Sequence, residues 1–314
     1  MEEALYSQFG FFNTDLVRSA KKGDFLTSPE VSIYFGKILR NWINNSCNLN
    51  KIVEIGSGTG SLIEQIGIKE ITAIELSSTA REELINKGIM THTNVNELTL
   101  EKSELVFGNE ILDNIPCSIG IYRDKVWYEK VVAIQENSFS YDIKPIRNEE
   151  LDWINKNNIV PNEDHELEIQ VNIDKFLNTV IKKISPKNIL LFDYGYEQAN
   201  REKRKYNSLL RTYKNHHLSV DPIEDPGNID ITYDVNFSSL SRELKTLGYD
   251  VTLKLQRNFL LENGFDIIFD ELQEKYLVAD GMEKLKINSE LNGLKAIVDS
   301  NGLGGFYCLN AQKL

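Results

Sequence analysis

Cysteine is scarce in this sequence, and the three cysteines that occur form no pattern. Cys47, Cys117 and Cys308 lie far apart in a chain of 314 residues, and no Cys-x-x-Cys pair is present. This spacing indicates neither a zinc site nor a disulfide framework. Of the four histidines only His216 and His217 are adjacent, so histidine offers no metal-ligand spacing either. We therefore expect no metal, and we expect thiols kept reduced inside the cell.

Basic residues and long apolar runs are also lacking. The formal net charge is −12 at pH 7, and an acidic chain repels phosphate backbones, which argues against a general nucleic-acid binder. No apolar run approaches the length of a membrane span. The N-terminus, MEEALYSQFGFF, opens with acids and resembles neither a signal peptide nor a transit peptide. We expect a cytoplasmic protein without a membrane span, or a protein of the mitochondrial matrix if a leader has been removed.

Apolar runs that alternate with helical patterns are present, and 41% of the residues are hydrophobic. Four of these runs have the composition of buried strands; they begin at IVEI (52–55), ITAI (71–74), ELVFG (104–108) and NILLFD (188–193). Such strands, separated by helices, predict a mostly parallel, Rossmann-like α/β sheet covered on both faces. The segments YDVTLKLQ (249–256) and GFYCLNAQ (305–312) predict two late strands that could close the sheet as an antiparallel pair.

The domain organisation follows from an interruption in this series. Residues 117–186 contain an alternating, hairpin-like pattern and two helical segments, which together predict an inserted α+β subdomain. The core would then comprise residues 46–116 and 187–314, preceded by an N-terminal helical segment over residues 1–45. No internal repeat is apparent.

The stretch KIVEIGSGTGSLIEQI (51–66) predicts a buried strand, a tight turn and a helix. Its glycines alternate, at Gly56, Gly58 and Gly60. A dinucleotide turn has the spacing G-x-G-x-x-G, but Ser61 stands where its third glycine would fall. Glu54, two residues before the turn, would repel a diphosphate, and it could instead pair with the amine or sulfonium of S-adenosylmethionine. Glu75 ends the next strand, where an acid accepts hydrogen bonds from ribose in either cofactor.

Three interpretations of the turn stay open at this point. It could hold S-adenosylmethionine, it could hold an NAD-type cofactor, or it could be a structural turn that binds nothing. The spacing of the glycines and the position of Glu54 favour S-adenosylmethionine.

Several motifs together resemble one known family. They are, in chain order, GDFLTSPEVSIYFG (23–36), VEIGSGTGSL (53–62), GNEILDNIP (108–116), LLFDYG (190–195), RTYKNHHLSVDPIEDPGNIDITYDVNF (211–237) and LKAIVDSNGLGGFYCL (294–309). The chain resembles the MidA-like class I S-adenosylmethionine-dependent methyltransferases, the family of the mitochondrial complex I assembly protein-arginine methyltransferase, and is closest in character to its bacterial members. The resemblance implies a class I methyltransferase sheet, S-adenosylmethionine as cofactor, and a protein arginine as acceptor, with symmetric dimethylarginine as product.

The resemblance also implies cofactor contacts from Leu76, beside Glu75, and from the TSPE motif. Ser28 can cap a helix that begins at Pro29, so a well-made helix start is an alternative reading of this motif. In the reading that the resemblance favours, a loop folds over the cofactor and places the hydroxyls of Thr27 and Ser28 near its methionine end.

The segment GNEILDNIP is the most informative one for mechanism. Asn109 and Glu110 follow a strand, and ligands of open α/β sheets bind at the ends of such strands. Glu110 and Asp113, three residues apart, could face one side of a turn or short helix and hold a guanidinium with paired carboxylates. The alternative is a capped helix start with a solvated Asp113. Asp193 ends a later strand and could either face the substrate or support this loop.

Three hypotheses of function follow. The first is a methyltransferase that acts on an arginine of a protein partner. The second is an NAD-type oxidoreductase on a similar sheet, and the third is a methyltransferase-fold assembly factor that binds a partner without turnover. The fold alone does not decide between them.

Overall fold

The computed structural model describes residues 1–13, 27–99, 102–136, 138–203, 209–214, 217–218 and 221–314. The α-helices in these ranges are α1 (Glu2–Tyr6), α2 (Ser28–Val31), α3 (Tyr34–Ser46), α4 (Ser61–Ile66), α5 (Ser78–Asn86), α6 (Asn148–Lys156), α7 (Val171–Ile184), α8 (Phe237–Thr246), α9 (Gln256–Glu262), α10 (Phe265–Val278) and α11 (Gly281–Ala296). The strands are β1 (Ile52–Ile55), β2 (Ile71–Ile74), β3 (Met90–His92), β4 (Leu105–Asn109), β5 (Ser118–Arg123), β6 (Val126–Gln135), β7 (Ser138–Pro145), β8 (Glu166–Ile169), β9 (Asn188–Asp193), β10 (Gly195–Tyr196), β11 (Leu210–Lys214), β12 (His217–Leu218), β13 (Asp230–Tyr233), β14 (Val235–Asn236), β15 (Tyr249–Leu255) and β16 (Tyr307–Lys313).

Seven strands form the central sheet, in the order β15-β16-β9-β4-β1-β2-β3. The pairs among β3, β2, β1, β4 and β9 are parallel, whereas β16 runs antiparallel to both β9 and β15. Every residue of β1 and β9 is buried, as expected of parallel strands covered on both faces. The predicted α/β fold, with its mostly parallel sheet and its antiparallel C-terminal strands, is therefore confirmed.

Helices cover the two faces of this sheet. On one face, Ile52, Leu105 and Leu190 pack with residues of α3, α4 and α9 to α11. On the other face, the intervening residues Val53 and Val106 pack with α7, while neighbouring strand residues pack with α7 and α8. The alternation of side chains along each strand thus fills two separate apolar layers.

A second sheet lies within residues 117–186, the predicted insertion. Its four antiparallel strands have the order β7-β6-β5-β8, and α6 packs on it through Trp153 and Ile154, which contact Trp127. By contrast, α7 packs on the main sheet, where Val180 and Ile184 join the cluster of β1 and β4. We therefore propose that the insertion comprises residues 117–170 and that α7 belongs to the core.

The chain order of the strands creates a crevice at one edge of the main sheet. From β1 the chain proceeds outward on one side to β2 and β3, and then crosses back to β4 on the other side of β1. Ligands of open α/β sheets bind at such a reversal, outside the carboxyl ends of the strands. No membrane-spanning helix is found in the part of the chain that the structure describes.

Candidate cofactor and acceptor cleft

A cleft of about 470 Å³ lies at the carboxyl ends of β1, β2 and β4. Its walls come from the glycine turn after β1, the segments after β2 and β3, the loop after β4, α7 and the N-terminal segment. The volume lies in the range of pockets that bury a small-molecule ligand. The cleft therefore stands where the order of the strands predicts a ligand.

The glycine turn forms the floor of the cleft with left-handed backbone. The φ angles of Gly56, Gly58 and Gly60 are +70°, +51° and +83°. A Cβ on Gly56 would lie 2.3 Å from Cγ2 of Ile111, so only glycine fits there. Gly60 precedes α4, and its Cβ would lie 2.7 Å from a methyl carbon of Leu84. Gly56 and Gly58 line the cleft, whereas Gly60 does not and instead lets α4 approach Leu84 of α5 closely.

Glu75 faces the turn from the end of β2. Its Oε2 accepts a hydrogen bond from the Gly58 N–H at 2.8 Å, and its Oε1 accepts one from the Ser77 N–H at 2.8 Å. Burial raises the pKa of Glu75, although these backbone N–H groups oppose that shift. Leu76, 50% exposed, lies beside it on the cleft wall. The carboxylate is thus fixed in position and retains lone pairs for hydroxyl donors.

Glu54 has an oxygen without a partner. It lines the cleft and is buried, and its Oε2 accepts no hydrogen bond from any residue that the structure describes. Burial raises the pKa of this carboxyl well above its ordinary value. An orphaned buried oxygen at the wall of a cleft calls for a donor from a ligand, and the ammonium group of an amino acid would satisfy it.

The set of lining residues fits S-adenosylmethionine better than a dinucleotide. Four glutamates line the cleft, and no Lys, Arg or His does so among the described residues. A diphosphate would therefore meet acids without a compensating cation, whereas a ligand with an ammonium and a sulfonium would not be repelled. Asn94 and Asn96, just after β3, extend the same wall. They were not predicted from the sequence, although a polar cluster after a third parallel strand was the available signal.

Glu110 occupies the mouth of the cleft with an unusual backbone. Its φ is +54°, a left-handed value that is rare for glutamate. The Glu110 N–H holds this backbone conformation by donating to the Phe192 carbonyl at 2.8 Å. Its Oε1 accepts hydrogen bonds from Asn109 Nδ2 at 3.0 Å and from the Ser28 N–H at 3.3 Å. No described residue donates to Oε2. Burial, followed by the charge of Asp113, raises the pKa of Glu110 to about 8.

Asp113 and Asp193 lie beneath the cleft and do not line it. Oδ2 of Asp193 accepts hydrogen bonds from the N–H groups of Leu112 at 2.8 Å and Asp113 at 3.3 Å. Asp193 thus contacts the backbone of the loop after β4, and its role at the site stays a prediction. Of the two carboxylates in the predicted clamp, that of Glu110 lines the cleft and that of Asp113 does not.

A buried polar network holds Asp113 in this lower position. The Tyr194 hydroxyl donates to Asp113 Oδ2, and the guanidinium of Arg211 lies 4.7 Å from the centre of the Tyr194 ring. Arg211 also pairs with Asp234 at 2.7 Å. Burial raises the pKa of Asp113 to about 6, while Tyr194 and Arg211 favour its ionised form. No sequence pattern indicates these contacts with Arg211, which lies almost a hundred residues further along the chain.

The TSPE motif combines a helix start with a wall of the cleft. Thr27, rather than Ser28, caps α2, and it forms a capping box with Glu30; Thr27 and Glu30 both line the cleft. Ser28 is buried away from the cleft, where its hydroxyl bonds with Gln256. The contact that Ser28 makes with the site is the backbone hydrogen bond to Glu110. Residues 23–26 of the motif and His216 lie outside the described residues.

The N-terminal segment closes one side of the cleft. Tyr6 and Phe12 line it, with stacked rings 5.5 Å apart, and the Tyr6 hydroxyl donates to the Asn114 carbonyl at 3.2 Å. The segment is anchored through Leu5, which packs in one cluster with Ile231 of β13. No role was predicted for these aromatic residues from the sequence.

Comparisons with known proteins agree with this geometry. A family model described as "Putative S-adenosyl-L-methionine-dependent methyltransferase" matches residues 36–253. The mitochondrial protein arginine methyltransferase NDUFAF7 homolog of Caenorhabditis elegans is 24% identical over 309 residues, covering 83% of this chain and 70% of the relative. The protein arginine methyltransferase NDUFAF7 of Rattus norvegicus is 25% identical over 300 residues, covering 81% and 67%. A crystal structure from Burkholderia thailandensis, bound to S-adenosyl-homocysteine, shares the fold with a TM-score of 0.86 at 22% identity, covering 99% of this chain and 86% of that one.

Proposed function

This chain belongs to the family of S-adenosyl-L-methionine-dependent methyltransferases, and we propose that its methyl acceptor is an arginine side chain of a protein. The observation that carries this proposal is Glu110. It presents an oxygen without a described partner at the mouth of a cleft whose charged lining residues are all acids. A guanidinium would satisfy that oxygen and neutralise its charge.

The cofactor would be held by the residues at the inner end of the cleft. We propose that Gly56 and Gly58 provide the close backbone approach, that Glu75 receives the ribose hydroxyls, and that Glu54 receives the α-amine. Leu76 and Thr27 would flank the cofactor, and Asn109 would lie near its reactive end. When bound, S-adenosylmethionine supplies an electrophilic methyl group on its sulfonium.

Glu110 would have two tasks in the reaction. Its carboxylate orients one terminal nitrogen of the guanidinium, and positioning of this kind accounts for about 7–11 kcal/mol of the barrier in favourable cases. The new N–C bond forms as the S–CH₃ bond breaks, and the nitrogen then carries one proton too many. Glu110, whose pKa is raised to about 8, is matched to accept that proton near neutral pH.

The buried network would act on Glu110 from below. Asp193 holds the loop through two backbone N–H groups, and Asp113 contributes a negative charge beneath Glu110. We propose that both are positioning residues rather than contacts of the acceptor. The relatives named as protein arginine methyltransferases support arginine as the acceptor, and symmetric dimethylation belongs to this proposal.

The experiment is a transfer assay with tritiated S-adenosylmethionine on a lysate from a strain that lacks this gene. The labelled proteins are hydrolysed and their amino acids are separated. Label in dimethylarginine that disappears with Glu110→Gln would support the proposal. Label in lysine or in a small molecule, or full activity of Glu110→Gln, would refute it.

A further inference from the structure

The hairpin of β6 and β7 carries an apolar face that is open to solvent. Four rungs of this face follow from the register of the two strands: Ile134 with Phe139, Val132 with Tyr141, Lys130 with Ile143, and Tyr128 with Pro145. Ile134 is 75% exposed and Phe139 is 48% exposed. The opposite face carries Trp127, which packs against α6. The insertion therefore buries one face of the hairpin and leaves the apolar one uncovered by the described residues.

The one cation on this face is neutralised. The Lys130 ammonium lies 3.2 Å from a carboxylate oxygen of Glu166 and 4.5 Å from the centre of the Tyr141 ring. The face therefore offers apolar contact without an unpaired charge. In addition, β7 pairs among the described strands with β6 alone, so the backbone of its outer edge is available for strand addition.

The exposed end of the hairpin lies on the side of the cleft. Pro116 lines the cleft, and β5 begins two residues later at Ser118. The antiparallel pairing of β5 with β6 ends at the pair of Ile119 and Lys130. Residues 131–135 of β6 therefore extend beyond the beginning of β5, in the direction of the cleft.

Contacts connect the hairpin with the mouth of the cleft. The Tyr141 hydroxyl donates to Asp221 at 2.5 Å. Further along the same loop, Gly227 is so close to the N-terminal segment that a Cβ there would lie 2.7 Å from the Phe9 carbonyl oxygen. Phe9 is itself 79% exposed, and Phe12 of the same segment lines the cleft. These contacts link the hairpin, through the loop of residues 221–227, to the N-terminal segment that lines the acidic cleft.

We propose that the apolar face of the β6–β7 hairpin, together with the edge of β7, is the docking surface for the protein acceptor. This inference rests on the proposed function, since it requires a protein acceptor. The partner it fits is a protein segment that adds along β7, covers the face with apolar side chains and places an arginine over Glu110. The surface and the cleft are complementary to different parts of such a segment: the apolar face to its flanking residues, the carboxylates to its cation.

The test compares two pairs of exposed apolar residues. The hairpin variant is Ile134→Ser with Phe139→Ser. The control variant is Leu277→Ser with Val278→Ser at the end of α10, where both side chains are more exposed than Phe139 and do not line the cleft. The labelled fraction of the deletion-strain lysate is supplied at increasing concentration, and the initial rate of tritium transfer is measured for each protein. Melting temperature, S-adenosylhomocysteine affinity by calorimetry and molar mass by light scattering are measured in parallel.

We expect the hairpin variant to raise the apparent KM for the acceptor fraction about tenfold or more, on the scale of a lost hot spot, with kcat and cofactor affinity unchanged. The control variant should keep the wild-type KM. An unchanged KM in the hairpin variant, or an equal rise in the control, would overturn the proposal. A halved molar mass of the hairpin variant would also overturn it, because the face would then join two copies of this chain.

The outcomes also separate this inference from the function on which it rests. Arginine labelling by the wild type with no effect of the hairpin variant would refute the docking surface alone. Protein label on another residue that the hairpin variant loses would refute the arginine acceptor and keep the docking surface.

Discussion

Replacing Glu110 by glutamine should stabilise the protein at alkaline pH while it sharply lowers turnover. The carboxyl is held in a left-handed turn, close to the charge of Asp113, and its pKa is raised from 4.5 to about 8. The folded protein therefore binds this proton more tightly than the unfolded chain does. For a carboxyl with a raised pKa, the contribution to stability is greatest at low pH and falls as the pH rises from about 4.5 to about 8.

Glutamine removes this loss because it cannot ionise. It keeps the size of the side chain and one oxygen that can accept from Asn109 Nδ2 and the Ser28 N–H. We therefore expect Glu110→Gln to have a higher melting temperature than the wild type at pH 8.5 and nearly the same one at pH 4.5. Turnover should fall by about 10² to 10³, the scale for loss of one preorganised charged group, with S-adenosylhomocysteine affinity nearly unchanged.

The assay is differential scanning calorimetry of both proteins from pH 4.5 to pH 8.5, together with the tritium transfer assay. A difference in melting temperature that does not grow with pH would refute the raised pKa of Glu110. Retained turnover would refute its role in the reaction, whatever the calorimetry shows.

Three further predictions concern the network and the cofactor. Tyr194→Phe removes the hydroxyl that bonds Asp113, and we expect kcat to fall about tenfold. Its control is Tyr249→Phe, which loses a buried hydroxyl bonded at 2.7 Å to the Pro186 carbonyl and should have a melting temperature no higher than that of Tyr194→Phe. Equal kcat in both variants would contradict a positioning role. Gly58→Val should abolish S-adenosylhomocysteine binding in a folded protein, because the φ of +51° and the closeness of the turn to its ligand exclude a branched side chain. Wild-type affinity of this variant in calorimetry would count against this placement. Glu75→Ala should weaken S-adenosylhomocysteine binding by about 1–3 kcal/mol, and an unchanged dissociation constant would argue against its ribose role.

The fold could be predicted from the sequence because its signals are local. The strands of the parallel sheet are continuous apolar runs, and the glycine turn marks the point where the chain passes from strand to helix. The helix α7 shows the limit of such signals. Its apolar stripe predicts a buried face, but no pattern in the sequence states which of two sheets buries it.

The acceptor side of the site was harder to predict, because it depends on one backbone angle and on contacts distant in sequence. Three-residue spacing places two side chains on one face of a helix, but the backbone at Glu110 is left-handed, and of the two carboxylates only that of Glu110 lines the cleft. The hydrogen bond of the Leu112 N–H to Asp193 joins residues 81 positions apart, and only the folded sheet brings them together. The position of Asp193 at the end of a strand predicted a role at the site. It did not distinguish a residue that supports the loop from one that contacts the substrate.

The central claim, that Glu110 receives a guanidinium, can be tested without knowledge of the acceptor. Protein loaded with S-adenosylhomocysteine and labelled with carbon-13 on glutamate carboxyl groups is titrated with pH while the Glu110 signal, assigned from Glu110→Gln, is followed by NMR. Methylguanidinium, added at high concentration, should lower the pKa of Glu110 from about 8, because a cation beside a carboxylate favours its ionised form. Neutral methylurea, of nearly the same shape, should leave the pKa unchanged. An equal response to both probes, or no response to methylguanidinium, would contradict the account.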